Sequence, residues 1–374
     1  MKILTKENSQ ILRGLAILSI VMHNFLHLGM WGFSGENEMS FVQEKADAFF
    51  NVLRSWQAGF FDVICELFSF TGWVGVPVFV FLTGYGVAVQ GGRIYNKGMV
   101  NDGHNFTYVK KHWLKLFVLM LPAVLFFAFF DFLRLGFSNV LLKRGFYLTQ
   151  LANFVYPYVK CSPGVYWYFG LTFQFYLIWA LFGKRLKGWC LLIFSSLTLV
   201  GFYICCRYAP SNALSIYRHC FTGWFEVFAL GLFLAQNKNV REKLQLPWYL
   251  ELLLVPLMIC LVVLMNIRLE SWLFIPLVSV ATFLCLGSLA LRVRYISSLF
   301  KWIGKLSACI FVCHPIARFL ILNYMPKGYG LAIYLVVYII LTIVFAIAYK
   351  QLYERLLSFV ERSMLVKKGN FVDQ

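Results

Sequence analysis

The first long apolar run of the chain carries polar residues that can bind an anion and move a proton. Arg13 opens the run, His23 and Asn24 come ten and eleven residues later, and His27 follows one helical turn after His23. On an α-helix these side chains and Ser19 lie within one arc of about 140°, and His23 lies about 15 Å along the axis from Arg13. Histidine can act as a general base near neutral pH, and arginine suits a phosphate or carboxylate. The pattern favours a catalytic base over a histidine that only bonds to a neighbouring helix.

A second polar stripe lies in the late apolar run at residues 302–320, WIGKLSACIFVCHPIARFL. Ser307, His314 and Arg318 are spaced by seven and four residues, so they share one helical face. Pro315 directly follows the histidine and frees a backbone carbonyl, because proline has no N–H. The stripe predicts that His314 and Arg318 bind an anion or polarise a carbonyl group. The alternative is a helix kink whose polar groups are satisfied by their neighbours.

Other polar residues at membrane depth are candidates for substrate binding, because such a side chain inside a span is costly and usually functional. Two glycines, Gly84 and Gly86, flank one of the candidates and favour close packing between helices. The residues at this depth are Tyr85, Gln174 and Glu226, and Glu226 is either a partner for a histidine or arginine or a protonated carboxyl group.

The composition places these residues in a membrane. Of the 374 residues, 60% are hydrophobic and 13% are charged, which is about half the charged share of a soluble domain. Lipid as the outer solvent removes the need for a polar surface. The predicted fold class is an all-α integral membrane protein, with a single polytopic domain over residues 1–374. Ten apolar runs predict transmembrane helices at 11–30, 70–90, 113–132, 164–182, 189–207, 217–236, 248–266, 271–291, 306–324 and 330–349.

The distribution of charge orients the ten predicted spans. An even number of spans puts both termini on one side of the membrane, and the positive-inside rule makes that side the cytoplasm. This orientation leaves 23 of the 34 basic residues on the cytoplasmic side. Topology therefore explains most of the net charge of +18, and nucleic-acid binding is not supported. The first run lacks a small-residue cleavage site and is predicted to be retained as a span.

The cysteines fall mostly within apolar runs and show no metal-ligand spacing, so no metal site is predicted. Five of them lie near the predicted outer side of the membrane, where the sequence leaves disulfide formation as an open alternative. These are Cys65, Cys161, Cys205, Cys206 and Cys220.

The ordered set of motifs resembles the acyltransferase 3 family, which comprises integral membrane O-acyltransferases of bacterial cell-surface glycans. That family opens with a basic residue, a glycine and an apolar helix that ends in a histidine. Later it carries a Phe-rich Ser-Gly-Tyr stretch, a Trp-Phe span, a Gly-x-x-Ser … His-Pro segment and a Glu-containing tail. The similar stretches are RGLAILSIVMH at 13–23, FVFLTGY at 79–85, VYWYFGLTFQFYL at 165–177, IGKLSACIFVCHP at 303–315 and YERLLSFVER at 353–362.

Two departures from the family pattern bear on the site. The family histidine usually falls eleven positions after the arginine, whereas His23 falls at ten and Asn24 at eleven. Either an irregular helical turn rotates His23 into place, or His27 takes its role. The family also has an arginine pair before the proline of the third span, where this chain has Lys111, His112 and Lys115 before Pro122, with looser spacing.

The resemblance implies transfer of an acyl group, most often acetyl, from cytoplasmic acyl-CoA to a hydroxyl of an extracytoplasmic sugar or polysaccharide. It implies the cytoplasmic membrane of a bacterium as the location, and the lipid bilayer, acyl-CoA and a carbohydrate acceptor as partners. The acceptor, the length of the acyl group and the oligomeric state stay open. The catalytic candidates are His23, Arg13, His27 and His314; the donor-binding candidates are Arg13, Lys111, Lys115, Ser307 and Arg318; the acceptor-binding candidates are Asn24, Thr83, Tyr85, Trp167, Gln174 and Glu226.

Two other classes of protein fit the same features less well. A proton-coupled transporter or flippase of an anionic or glycan substrate would also carry central histidine and arginine stripes. It would accumulate substrate without an acyl donor. A non-catalytic scaffold for polysaccharide assembly would tolerate changes at Arg13, His23 and His314.

Overall fold

The computed structural model describes residues 4–35, 42–55, 59–96, 102–135, 144–155, 164–183 and 185–369, and every regular element in these ranges is a helix. This confirms the predicted all-α membrane protein. The α-helices are α1 (Ser9–Leu26), α2 (Gln43–Arg54), α3 (Phe60–Thr71), α4 (Gly75–Asn96), α5 (Asp102–Leu135), α6 (Trp167–Phe182), α7 (Trp189–Tyr208), α8 (Ser211–His219), α9 (Phe225–Gln236), α10 (Lys238–Lys243), α11 (Trp248–Met265), α12 (Ile275–Arg292), α13 (Arg294–Tyr324) and α14 (Leu331–Gly369).

Eight helical segments in the described ranges are long and apolar enough to cross a membrane. The spans predicted at 164–182 and 217–236 correspond to shorter apolar helices, α6 with 16 residues and α9 with 12. The predicted number of ten spans and the cytoplasmic position of both termini stay predictions.

The helix α7 shows how the chain meets lipid. Large apolar side chains between its two ends are exposed, and only 11% of its 18-residue apolar stretch is buried inside the protein. Trp189 at one end is 79% exposed and Tyr208 at the other is 82% exposed. The two residues lie about 29 Å apart along the helix axis, which is close to the thickness of the hydrocarbon core of a bilayer. Aromatic rings at this spacing are typical of a span anchored at both interfaces.

The polar helix α1 is surrounded by protein. Of the 18-residue apolar stretch of α1, 72% is buried inside the protein, whereas the corresponding share of α7 is 11%. Glycines allow other helices to approach its backbone closely: Gly14 lies against the Phe300 carbonyl, and Gly304 lies against the Gln10 carbonyl. A helix that carries histidines and an arginine therefore occupies a central position, where protein groups can satisfy them.

The helix α1 is continuous from Ser9 to Leu26, with no irregular turn, and it ends four residues before the predicted boundary at residue 30. A short 3₁₀ helix follows at Gly29–Trp31. The end is capped from this segment, because Trp31 Nε1 donates a hydrogen bond to the Phe25 carbonyl at 2.9 Å.

The second predicted span is a broken helix that begins earlier than expected. The sequence indicates a span at 70–90, whereas α3 starts at Phe60 and α4 runs to Asn96. A 3₁₀ turn at Gly72–Val74 separates α3 from α4. The close contacts of Gly72 with α1, described below, fix the position of this break.

The sixth predicted span is also interrupted. The helix α8 ends at His219, a 3₁₀ turn covers Phe221–Gly223, and α9 begins at Phe225. The Phe221 N–H does not join a helical ladder but donates to Gln174 Oε1 at 2.8 Å. The side chain of Gln174 therefore helps to end one helix and start the next.

Close backbone contact joins α4 to α9. A Cβ atom on Gly84 would overlap the Phe228 carbonyl, and one on Gly231 would overlap the Phe81 carbonyl. Gly86, two residues after Gly84, faces open space. The packing role that the sequence favours for Gly84 and Gly86 thus holds for Gly84 and not for Gly86.

Internal contacts divide the chain into two compact units. The first contains residues 1–105 and 174–307, and the second contains residues 106–173 and 308–374. A single membrane domain over residues 1–374 stays a prediction. The cysteines expected near the outer side are free thiols in the described ranges, and Cys161 lies outside them.

Tyrosines cross-link the second unit at its two proline-containing helices. Tyr166 donates to the Val312 carbonyl at 2.8 Å, and Tyr349 donates to the Leu119 carbonyl at 2.6 Å. Each acceptor lies three residues before a proline of its helix, Pro315 in α13 and Pro122 in α5. Since proline lacks an N–H and weakens the helical ladder nearby, a hydroxyl donor there adds a hydrogen bond beside the weakened turn.

We expect Gly84→Ala to destabilise the protein and Gly86→Ala not to. The added methyl at residue 84 overlaps a backbone carbonyl, and such overpacking costs about 1–3 kcal/mol. The methyl at residue 86 meets nothing and raises helix propensity by roughly 1 kcal/mol. Melting temperatures of the two purified variants in detergent measure the difference. Equal melting temperatures would contradict the packing described for α4 and α9.

Candidate active site

The imidazole of His23 is held in one orientation at the point where α3 ends. The residue is only 3% exposed, and its Nδ1 lies 3.1 Å from the Phe68 carbonyl oxygen. Because a carbonyl can only accept a hydrogen bond, the proton of the neutral ring is on Nδ1. The Nε2 atom then carries the lone pair, which is the arrangement that a general base needs.

A glycine and a serine fix the chain around this histidine. A Cβ atom on Gly72 would lie 2.6 Å from His23 Cβ, so the 3₁₀ turn can approach α1 only because residue 72 is glycine. The Ser19 hydroxyl, one turn before His23, donates to the Gly72 carbonyl at 2.7 Å. The sequence placed Ser19 on the polar arc of α1, and its partner is the break in the neighbouring helix.

The second histidine of the pair, His27, lies one helical turn after His23. His27 is half-buried, and its Nδ1 donates to the His23 carbonyl at 2.8 Å. The two imidazole rings stack with centroids 4.8 Å apart and planes 16° apart. The neighbouring Asn24 is buried and donates from Nδ2 to the Ile20 carbonyl at 2.9 Å. The continuous helix excludes the irregular turn considered from sequence, and the hydrogen bond to Phe68 orients His23 without one.

A loop folds over the end of α1 beside this pair. Ser34 donates through its N–H and its hydroxyl to the carboxylate of Glu66, which is fully buried. The Gly35 N–H donates to Ser69 Oγ at 3.2 Å, and that hydroxyl donates to the Leu26 carbonyl at 3.3 Å. The loop, α1 and α3 are thereby joined next to His27. Sequence reasoning assigned no role to Glu66.

Arg13 is half-buried near the start of α1, where the start of α13 packs. Lys301 of α13 lies with its Nζ 3.0 Å from Oε1 of Glu7, six residues before Arg13. The ammonium groups of Lys301 and Lys305 lower the pKa of the Glu7 carboxyl, chiefly through the hydrogen bond from Lys301. This end of α1 is therefore suited to an anion.

The candidates on α4 have partners within the first unit. Thr83 donates to the Phe79 carbonyl at 2.8 Å, so its hydroxyl is bonded to its own helix. Arg241 Nη1 donates to the Tyr85 hydroxyl at 2.9 Å, and its guanidinium lies 5.9 Å from the centroid of that ring. Arg241 lies in the loop between the spans predicted at 217–236 and 248–266, which the predicted orientation places in the cytoplasm. Its partner could not be identified, because 156 positions separate the two residues in the chain.

Glu226 and Gln174 are both buried in the first unit. Gln174 binds the turn before α9 through the Phe221 N–H, and its Nε2 lies 3.9 Å from Cys220 Sγ. Within the described ranges, Glu226 Oε1 has no hydrogen-bond partner. Arg218 and His219 are equally buried nearby and were missed from sequence, although they lie inside the predicted sixth span.

The second unit holds another buried histidine. His314 is fully buried, its Nδ1 donates to the Ile310 carbonyl at 3.2 Å, and its ring meets the edge of Phe311 at 5.6 Å. Its Nε2 has no hydrogen-bond partner among the residues that the structure describes. Arg318 lies one turn further along α13 and is half-exposed. The spacing of this pair agrees with the predicted stripe.

The structure divides the predicted site residues between the two units. Arg13, His23, Asn24 and His27 share α1, which packs against the break before α4. The first unit holds Arg13, His23, Asn24, His27, Thr83, Tyr85, Gln174, Glu226 and Ser307, and the second holds Lys111, Lys115, Trp167, His314 and Arg318.

Comparison with known proteins identifies one family. The family model described as "Acyltransferase domain", that of the acyltransferase 3 family, matches residues 7–350 of the 374-residue chain. The match extends from the start of α1 into α14 and includes both units. No match was found among curated proteins or among solved structures.

We expect neutral His23 to carry its proton on Nδ1, since the Phe68 carbonyl cannot donate. Solid-state NMR of protein with isotope-labelled histidine nitrogens, reconstituted in lipid, distinguishes the two tautomers. The signal of His23 is assigned by its loss in His23→Gln. A protonated Nε2 at this residue would contradict the described geometry.

Proposed function

The chain belongs to the acyltransferase 3 family and is a membrane acyltransferase, and we propose that it moves an acetyl group from cytoplasmic acetyl-CoA to a hydroxyl of an extracytoplasmic sugar or polysaccharide. In this proposal it lies in the cytoplasmic membrane of a bacterium with both termini inside. The carboxyl-terminal part of α1 then points outward, and Arg13 lies at the cytoplasmic end.

One observation carries the proposal: the hydrogen bond between His23 and the Phe68 carbonyl leaves Nε2 with its lone pair. A sugar hydroxyl is a poor nucleophile at neutral pH, and a base that removes its proton during attack accelerates the reaction. The sequence departs from the family spacing by one residue. Because the broken helix orients the ring, a spacing of ten is compatible with the role of base.

In the proposed reaction the acyl group moves from the sulfur of coenzyme A to a hydroxyl oxygen of the sugar. His23 Nε2 takes the proton of the acceptor hydroxyl while its oxygen attacks the thioester carbonyl. The tetrahedral intermediate collapses, the C–S bond breaks, and the imidazolium returns the proton to the departing thiolate. The products are an ester of the sugar and free coenzyme A. His27, stacked on His23, is the positioning partner in this scheme.

The donor side of the site is assigned to basic residues. Arg13 binds a phosphate of the donor, and Lys301 and Lys305, which lie near Glu7, add positive charge at the same end of α1. His314 and Arg318 polarise the thioester or line its path. The remaining donor-binding assignments are Lys111, Lys115 and Ser307.

The acceptor side follows from the proposed orientation, with one change from the sequence assignment. Arg241 belongs to a predicted cytoplasmic loop and bonds to the Tyr85 hydroxyl, so we reassign Tyr85 from the acceptor to the donor side. The acceptor-binding assignments are Asn24, Thr83, Trp167, Gln174 and Glu226.

The test of the base compares His23→Ala with His27→Ala in protein purified in detergent. We expect His23→Ala to lower turnover by roughly 10²- to 10⁴-fold, the usual contribution of a general base, and His27→Ala to lower it only a few-fold. The measurement is free thiol released from acetyl-CoA in the presence of acceptor. Melting temperatures verify that both variants are folded.

Two outcomes would overturn the assignment. Full turnover by folded His23→Ala would exclude His23 as the base, and loss of turnover only in His27→Ala would transfer the role to His27. Accumulation of substrate in vesicles without acyl donor, together with no binding of coenzyme A, would indicate a transporter instead.

Arg13→Ala tests the donor site. We expect the KM for acetyl-CoA to rise roughly ten-fold or more, since a charge-assisted hydrogen bond is worth about 1.5–3 kcal/mol. The matched control is Lys238→Ala, which removes an exposed basic residue bonded only weakly to Glu242 at 3.7 Å. The control variant is expected to change KM less than about two-fold. An equal effect of both substitutions would mean that only the overall positive charge attracts the donor.

A further inference from the structure

A second polar cluster lies in the first unit, outside the His23 site. We call it the Trp272 cluster after the residue at its centre. Trp272 belongs to the 3₁₀ turn Leu269–Leu273, between α11 and α12, and is buried. Phe202, Trp224 and Arg218 contact Trp272, and the cluster also includes Ser215 and Glu226, which lie three residues before Arg218 and two residues after Trp224.

Aromatic rings and a guanidinium form the body of the cluster. The ring of Trp272 stacks on Phe202 at 4.9 Å between centroids and meets Trp224 edge-on at 5.3 Å. The guanidinium of Arg218 lies 4.7 Å from the centroid of Trp272, a favourable cation–π distance. Trp224 Nε1 donates to the Arg218 carbonyl at 2.6 Å. These contacts fix the rings and the start of α9 relative to α8.

Three buried polar atoms of the cluster have no hydrogen-bond partner within the described ranges: Ser215 Oγ, Glu226 Oε1 and Trp272 Nε1. Ser215 lies on the buried face of α8, three residues before Arg218. Glu226 lies two residues after Trp224 in the chain. Buried polar atoms without partners cost free energy, and native proteins keep few of them. A ligand that reaches these three atoms would satisfy them.

The chemical types of these three atoms are complementary to a polyol. An indole N–H donates, a carboxylate oxygen accepts, and a serine hydroxyl does both. A sugar offers hydroxyl groups that donate and accept in turn, together with apolar C–H faces that pack on aromatic rings. Aromatic walls with a few convergent polar groups are typical of small-molecule sites.

The cluster is connected to the proposed base. Trp73 and Trp272 lie parallel, with centroids 6.5 Å apart and planes 12° apart. Trp73 directly follows Gly72, the residue in closest contact with His23. Trp73 is held by a hydrogen bond from Nε1 to Asn266 Oδ1 at 3.3 Å. Trp73 therefore joins the Trp272 cluster to the turn that contacts His23.

We propose that the Trp272 cluster binds an uncharged sugar ring of the acceptor glycan, hydrogen-bonded by Ser215, Glu226 and Trp272. The inference rests on the proposed function in taking a sugar as the acceptor, and it adds where and by which groups the sugar is bound. Binding requires the packed side chains to separate. The hydrogen bonds gained by the three polar atoms offset the contacts that are lost.

The experiment measures sugar binding by intrinsic tryptophan fluorescence of the full-length protein in lipid nanodiscs. The probes are methyl glycosides of neutral hexoses, 6-deoxyhexoses and N-acetylhexosamines, with methyl glucuronide and inorganic phosphate as anionic probes. Trp272→Phe removes the N–H and keeps an aromatic ring, Glu226→Gln keeps the shape, and Ser215→Ala removes one hydroxyl. The matched controls are Ser279→Ala, a buried serine already bonded to the Ile275 carbonyl, and Trp189→Phe in the exposed end of α7.

We expect saturable binding of at least one neutral glycoside, weakened about ten-fold in each of the three cluster variants and unchanged in both controls. The same variants are expected to raise the KM for the acceptor while leaving the KM for acetyl-CoA unchanged. Equal affinity in cluster variants and controls would overturn the inference. So would saturable binding of phosphate or glucuronide alone, or no binding of any glycoside by a protein that still transfers acetyl groups.

A failure of the proposed function is distinguishable from a failure of this inference. If neutral glycosides bind through the cluster but no thiol is released from acetyl-CoA, the acetyl transfer is wrong and the sugar site stands. Binding to His23→Ala should equal that of the parent protein, because the cluster does not include the base.

Discussion

The hydrogen bond between His23 and the Phe68 carbonyl joins α1 to the end of α3 at the candidate site. A buried imidazole needs a fixed partner, because an unsatisfied polar group in an apolar interior is costly. The Phe68 carbonyl accepts from His23 in addition to the Gly72 N–H, its partner along the chain. The absence of a side chain on Gly72 lets the turn between α3 and α4 approach the backbone of α1. The hydrogen bond, the glycine and the helix break therefore occur together where α3 meets α1.

Close backbone packing also joins other pairs of helices in the first unit. Glycines on α4 and α9 bring these helices together, and Gly14 and Gly304 do the same for α1 and α13. In lipid, association between helices depends on such packing and on polar contacts, because the surrounding solvent is itself apolar. The exposed face of α7 shows the other half of the same rule, since it presents large apolar side chains and keeps its aromatic rings at its ends.

The sequence was informative where the signal is local. Helical spacing placed Ser19, His23 and His27 on one arc of α1, and apolar runs located the helices because hydropathy follows directly from residue type. The interactions that complete the site could not be read in this way. The partner of His23 is a backbone carbonyl, which every residue has, and Arg241 meets Tyr85 only through the fold. The break in the sixth predicted span depends on Gln174, which lies 47 positions before the N–H that it binds.

The broken helix has an electrostatic consequence for the proposed reaction. The carbonyl oxygen of a peptide group carries partial negative charge, and the carbonyls of the last turn of α3 point toward the end of that helix. The imidazole of His23 touches this turn through Phe68. The neutral ring gains little from it, whereas the cation formed when the ring takes a proton is attracted. The end of α3 therefore binds the charge that appears only as the acceptor is deprotonated, which is the preorganised stabilisation of a transition state that lowers an activation barrier.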